Sequence, residues 1–332
     1  MIAPVKTIPT KRAGSLRPND EHATIPAFSG TDTVNYVYLL GRPTLGRFLR
    51  FMARHAVNGA SLDEGVLADE WRAAFDHLRT LEKDEAGAAD FLSLGGLPSE
   101  LEPLRDDFLR MPLVQNSFNT VPTAIALVEL DRLVVYQKHI DLAHVGKLKE
   151  QLGPRPSGAD MFRFCLPVNR AHPPVKWAGA HRDTFVFVSP SNDLRFLGAR
   201  VLDPEQVANC PPRSTPAGVV GLTVGFGTNF LNAIAVEKRL ILHNGNHRAY
   251  ALRELGVTHA PCIIQLVSSW DEFHAVASGD LNARPEFYVK HPRPPLLRDY
   301  FNDKLRKITP AYRRLRQITV KFQVDEAYVP AV

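Results

Sequence analysis

The stretch LILHNGNHRAYALRELG, residues 240–256, crowds His243, Asn244, Gly245, Asn246, His247 and Arg248 into the junction between an apolar run and a helix-like pattern. The first turn of a helix leaves its N–H groups without partners and carries a partial positive charge. A phosphate or carboxylate placed there gains hydrogen bonds and field together. Gly245 lets the backbone approach such a ligand, Arg248 supplies a planar, permanently charged fork, and His247 a donor or acceptor whose charge depends on pH. The same residues also read as an Asn-Gly-Asn turn that ends a hairpin and starts a helix, with Asn244 or Asn246 as its cap, and that reading needs no ligand. His243 and His247 are spaced like paired zinc ligands on a helix, but the strand-to-helix break between them denies a shared face. No metal site is expected.

The elements that must position this junction follow from periodicity. LNAIAVEKRLILHNG reads as a hairpin with Glu237, Lys238 and Arg239 at its tip. A short helix over Ala249 to Leu255, a stop at Gly256 and the run PCIIQL follow. Upstream, TAIALVELDRLVVY reads as a strand and DLAHVGKLKEQLG as an amphipathic helix stopped by Gly153 and Pro154. TFVFVSPSNDLRFLGARVL reads as a second hairpin around the turn cluster Ser189 to Asp193. GLTVGFGTNF lacks the ending of a Walker loop and reads as a flexible strand or turn. The segment before Thr120 reads as mostly helical. Leu45, Phe48, Leu49 and Met52 share one helical face, and Leu67, Trp71, Phe75, Leu78 and Leu81 another, while Ser61 with Glu64 and Ser99 with Glu102 have capping-box spacing.

Composition bounds the function classes. The chain has 332 residues, 45% hydrophobic and 23% charged, the balance of a soluble globular protein of one or two domains. No run approaches the roughly 18 apolar residues of a membrane helix, so no membrane partner is expected. The first 28 residues have no apolar h-region; they read as a flexible arm, and the protein is expected in the cytoplasm. Cys165, Cys210 and Cys262 form no CxxC pair and read as plain buried thiols. The net charge of +5 is uneven, with ten Lys and Arg between Lys290 and Phe322 against Asp299 and Asp303. That basic end reads either as a footprint for a polyanion such as DNA or as a solvated face.

Two boxes carry a family resemblance. LILHNGNHRAYALRELG resembles the G-x-H-R type box of the ParB and sulfiredoxin-like superfamily, in which a strand ends in glycine, a basic pair follows and a helix begins. VELDRLVVYQKHIDLAHVGKLKEQLG is similar to that superfamily's upstream box. The resemblance covers about residues 120–268. It implies a nucleoside triphosphate or diphosphate, ATP or CTP, bound with magnesium, with phosphates held by Asn244, Gly245, Asn246, His247 and Arg248 and opposed by Gln137 and Lys138. Some members transfer or hydrolyse phosphate, some bind DNA and some are described as nucleases. Asn246 stands where sulfiredoxin keeps its cysteine, so sulfinic-acid repair is not expected. No helix-turn-helix follows Leu266, against a chromosome-partition role. Where the free-serine kinases of the superfamily use a glutamate, this chain offers Gln137, Lys138, His139 and Asp141, which makes His139 or Asp141 the candidate base.

The resulting expectation is an α+β protein with a flexible arm (1–30), a helical region (31–119), a ParB/sulfiredoxin-like mixed-sheet domain (120–268, with an insertion at about 154–220) and a basic, partly helical extension (269–332). The leading functional expectation is a bacterial-type, nucleotide-binding phosphotransferase or NTPase. The alternative is a DNA-associated module, a nuclease or a defence or modification factor, that uses residues 290–322. The proline-rich segment NARPEFYVKHPRPPLLRDYFN reads as an extended linker, or as a strap that adds Lys290 or Arg293 to a phosphate.

Overall fold

A computed structural model describes residues 33–90, 94–168, 171–181, 183–207 and 217–329. The expected arm over 1–30 and Cys210 lie outside these residues. The chain divides into two units, residues 30–171 with 227–314, and residues 172–226 with the segment from 315 onward. The larger unit begins with β1 (Thr33–Leu39), α1 (Leu45–His55), α2 (Glu64–Asp84), β2 (Leu94–Gly95), α3 (Glu102–Arg110), α4 (Pro112–Ser117) and β3 (Thr123–Glu129). It continues through β4 (Val134–Val135), β5 (His139–Asp141), α5 (Leu142–Leu152) and α6 (Gly158–Cys165). The smaller unit then contributes β6 (Lys176–His181), β7 (Thr184–Ser189), β8 (Leu194–Leu202) and β9 (Val219–Phe226). The larger resumes with β10 (Asn232–Val236), β11 (Arg239–Asn244), α7 (Asn246–Glu254), β12 (His259–Val267), α8 (Trp270–Val276), α9 (Gly279–Ala283), α10 (Pro285–Val289) and β13 (Arg306–Tyr312). Finally β14 (Arg316–Lys321) belongs to the smaller unit. The class is α+β, as expected.

The larger unit is built on a mixed sheet of order β2-β3-β12-β10-β11-β4. Its central strands are buried on both faces, which is why AIAV, LIL and PCII are unbroken apolar runs rather than alternating ones. Strand alternation still sorts the side chains. Ala233, Ala235, Leu240 and Leu242 face a core shared with α3, α5, α6 and α7, whereas Ile234, Val236 and Ile241 face Phe273, Leu281, Tyr288 and Val289 of α8 to α10. A second sheet of order β13-β1-β5 joins three distant parts of the chain. β1 packs Tyr38 against Phe48 and Met52 of α1, the two buried residues of the face expected from spacing.

Several local expectations change. YVYLL, read within the helical region, is strand β1, because its partners β13 and β5 lie far away in sequence. The cap of α2 is Asp63, whose carboxylate accepts from the Gly65 and Val66 N–H groups, rather than Ser61. The hairpin over Leu231 to Gly245 forms as expected, β10 pairing antiparallel with β11 and Glu237 at φ +52° in the tip. TFVFVS and the run after it are both strands, but not partners: β7 lies between β14 and β6, and β8 pairs with β9. The basic extension holds three short helices and then strands β13 and β14. No helix among the described residues is long and apolar enough to cross a membrane.

Candidate functional site

Parallel pairing of β4 with β11, Val134 beside Ile241 and Val135 beside Leu242, sets the two sequence boxes next to each other. The Tyr136 hydroxyl after β4 donates to the His243 carbonyl at 3.0 Å and stands 3.1 Å from His243 Nδ1. Farther along, the Asp141 backbone N–H donates to His247 Nε2 at 3.0 Å. That bond assigns the tautomer, with Nε2 bare and the proton on Nδ1.

The turn itself depends on Gly245, at φ +85°. A Cβ there would lie 2.8 Å from Leu231 Cδ1 and 2.9 Å from Leu231 Cα. Leu231 cannot retreat, because its N–H bonds the Cys165 carbonyl at 2.8 Å and its own carbonyl accepts the Ile263 N–H at 2.9 Å. Asn244 closes the turn by accepting the Gly245 N–H and donating to the Thr228 carbonyl, both at 2.8 Å. The Ala249 N–H bonds the Gly245 carbonyl at 2.9 Å, and the N–H groups of Asn246 and His247 have no acceptor inside α7. Asn246, only 6% exposed, buries its Oδ1 with no hydrogen-bond partner among the described residues.

Arg248 is committed to the protein. Its Nη1 donates to the Asn229 carbonyl and, at 2.6 Å, to Asn229 Oδ1, and its guanidinium lies 5.8 Å from the Phe164 ring centroid. With 5% exposure it anchors the segment that enters β10. The expected fork toward a ligand is therefore directed, at Nη1, into the chain itself.

The upstream residues divide their tasks. Gln137 Nε2 donates to the His139 carbonyl at 2.8 Å, and the Gln137 carbonyl accepts the Tyr300 hydroxyl. The Lys138 carbonyl accepts the Leu39 N–H at 2.9 Å. The His139 ring packs 5.1 Å from Tyr36 and 5.2 Å from Phe51. Burial, then the charges of Arg314 and His55, push its pKa down to about 4 against the opposing pull of Asp141. Asp141 caps α5, Oδ1 accepting the His144 N–H at 3.1 Å. Burial, then His144, His139 and Arg248, push His247 down to about 3. His247 is thus tied to the Asp141 backbone, two residues from His139, and both imidazoles are neutral at pH 7. Burial pushes the Cys165 thiol up to about 12 and raises Cys262, leaving both unreactive.

Gln137 and Lys138 also line a narrow cleft of about 20 Å³, whose other walls include Arg42, Arg284, Phe287 and Tyr288. The proline-rich segment does cross here, but Lys290 pairs with Glu286 and Arg293 is 1% exposed, bound bidentately to Asp299 at 2.6 Å and to Glu85. Arg284, Tyr288, Arg42, His144 and Asn229 were not singled out in the sequence. Of these, only Arg284 and Tyr288 fall in a segment whose aromatic and basic content drew notice. Among the described residues, at least five of the ten basic residues between Lys290 and Phe322 have carboxylate partners: Lys290, Arg293, Arg298, Arg306 and Lys307. Two of those carboxylates, Glu85 and Glu70, come from α2 and its end, out of reach of a local charge count. Among the described residues no group of three or more His, Cys, Asp or Glu is arranged to hold a metal ion. Compared with known proteins, the chain matches no protein-family model, no curated protein and no solved structure.

Proposed function

We propose that this chain binds a nucleoside di- or triphosphate, with magnesium, at the turn that enters α7. The reading starts from the resemblance of residues 120–268 to the ParB and sulfiredoxin-like superfamily. The observation that carries it is the buried, unpartnered Oδ1 of Asn246 beside the first-turn N–H groups of α7. A phosphate answers those donors. The orphaned acceptor needs a donor, which a bare phosphate dianion does not offer and a ribose hydroxyl or a magnesium-bound water does. Magnesium keeps several waters and leans on its ligand's phosphates, so an outer contact from Asn246 suits it without a carboxylate cage.

In this reading Gly245, Asn246 and His247 hold phosphate through the backbone, and Gln137 and Lys138 form the opposite side. Magnesium would neutralise charge on the phosphates. Transfer or hydrolysis would then be a matter of positioning, with the neutral His139 and the capping Asp141 as the nearest proton-accepting groups. Calorimetric titration with ATP, CTP and ADP plus magnesium tests the reading, on wild type and Asn246→Ala. Binding by wild type and a loss of about tenfold in the variant are expected, the latter for one charge-assisted contact. No heat from any of the three nucleotides on wild type would remove the proposal.

A further inference from the structure

The smaller unit holds a ribbon that the proposed nucleotide site does not use. β8 and β9 pair antiparallel, from Leu194 beside Phe226 to Leu202 beside Val219, with one irregularity between Phe196 and Gly198. Among the described residues neither strand has a second neighbour. A lone two-stranded ribbon is marginal in water unless an apolar face packs on something. The period of two along each strand gives this ribbon two unlike faces. One carries Leu194 with Phe226, Phe196 with Val224, Ala199 with Leu222 and Val201 with Val220, which is apolar at every position. The other carries Arg195 with Gly225, Gly198 with Thr223, Arg200 with Gly221 and Leu202 with Val219.

The glycine-bearing face covers itself. A Cβ at Gly225 would lie 2.9 Å from Leu197 Cδ1, and one at Gly221 3.2 Å from Leu202 Cδ1, so these two leucines lie over the glycines of the neighbouring strand. The apolar face has no such cover. Leu194 is 1% exposed at its near end, but Phe196 is 46%, Val220 68% and Val201 76% exposed toward the far end. Val201 and Val220 stand directly opposite each other, so the exposed methyl groups form one patch rather than scattered single residues.

Charge at the two ends selects the occupant. Glu205 stands just beyond the far end and is exposed. Arg316, also exposed, is fixed beside the near end by donating Nε to the Leu194 carbonyl at 3.3 Å. A twofold axis through the middle of the apolar face lays two ribbons antiparallel, apolar on apolar, and brings each copy's Glu205 to the other's Arg316. We propose that the apolar face of this ribbon is a self-association surface, covered by the same face of a second copy in that orientation. The nine residues of β8, at about 3.3 Å each across a ribbon roughly 10 Å wide, give a face of about 300 Å² per copy. The total of about 600 Å² is below the roughly 1,200 Å² of a stable interface, so the pairing is weak and concentration-dependent. It does not rest on the nucleotide reading.

Sedimentation velocity on the full chain, from low micromolar concentration upward, tests the proposal. The weight-average mass is expected to rise toward twice that of the monomer, with a dissociation constant in the high-micromolar range. Val201→Lys and Val220→Lys each place a charge in the contact and should weaken pairing about tenfold or more. Both side chains are exposed in the single chain, so these variants keep its fold. Arg200→Glu, on the other face, should leave pairing unchanged. Glu205→Arg should weaken it several-fold, and Glu205→Arg combined with Arg316→Glu should restore it, which only the antiparallel arrangement does. A monomer at every concentration, or pairing by Val201→Lys equal to wild type, overturns the proposal. So does a monomer whose melting temperature falls in Val201→Lys, since the face is then covered by its own chain. Failure of the charge swap to restore pairing overturns the antiparallel orientation.

Discussion

At the scale of single residues, Gly245 and Arg248 hold the turn in different ways. Alanine at 245 would meet two penalties, a left-handed backbone angle and contact with a Leu231 pinned from both sides. Gly245→Ala is expected to destabilise the chain by roughly 2–4 kcal/mol, read from urea unfolding, and a loss below about 1 kcal/mol would contradict the geometry. Arg248→Ala removes the donor to the Asn229 carbonyl and Oδ1, so its main effect is on stability, about 1–3 kcal/mol. A melting temperature equal to wild type with nucleotide binding abolished would instead make Arg248 a ligand contact. The residue pattern at the junction was legible in the sequence. The direction in which each side chain acts was not, because Asn229 and Leu231 are brought there by the fold.

At the scale of elements, β5 and the start of α7 form one proton-sensitive unit. His139 titrates near 4 and His247 near 3 in the folded chain, against 6.5 for an ordinary histidine. Between these values the unfolded chain binds more protons, so stability rises with pH and is lost as pH falls from about 6.5 toward 4. Each histidine contributes at most about 1.4 kcal/mol per pH unit over that window. Melting temperature is therefore expected to drop between pH 6.5 and 5, and His139→Gln with His247→Gln should flatten the drop. An unchanged slope in the double variant would mean other groups dominate. The helices and strands around these residues were largely legible, since α5 has clear periodicity and a stop and β10 and β11 are apolar runs bounded by turn residues. Partnership was not: β7 and β8 have the alternation of strands, but alternation carries no information on which strand lies alongside, and β5 pairs with β1 about a hundred residues away in sequence.

At the scale of the whole molecule, the basic end is less available than its composition suggests. With five of its ten cations paired to carboxylates, at most five remain for phosphates. If duplex DNA binds through residues 290–322, the slope of log affinity against log salt should be no steeper than about −4.5. A steeper slope in fluorescence anisotropy would show that the ion pairs to Glu85 and Glu70 open on binding. Sequence could count these charges but not subtract partners lying more than two hundred residues upstream.

The sheet β13-β1-β5 has a consequence for the order of assembly. Its outer register joins Thr33 to Tyr312, so it closes only when almost the whole chain has been synthesised. The β10, β11, α7 and β12 segment needs only neighbours within about 35 residues of one another to pair. During synthesis the turn at Gly245 can therefore take shape early, while the Leu39 to Lys138 contact that completes the cleft waits for β1. A nascent chain would pass through a stage with the turn in place and the cleft wall at Lys138 still unsecured.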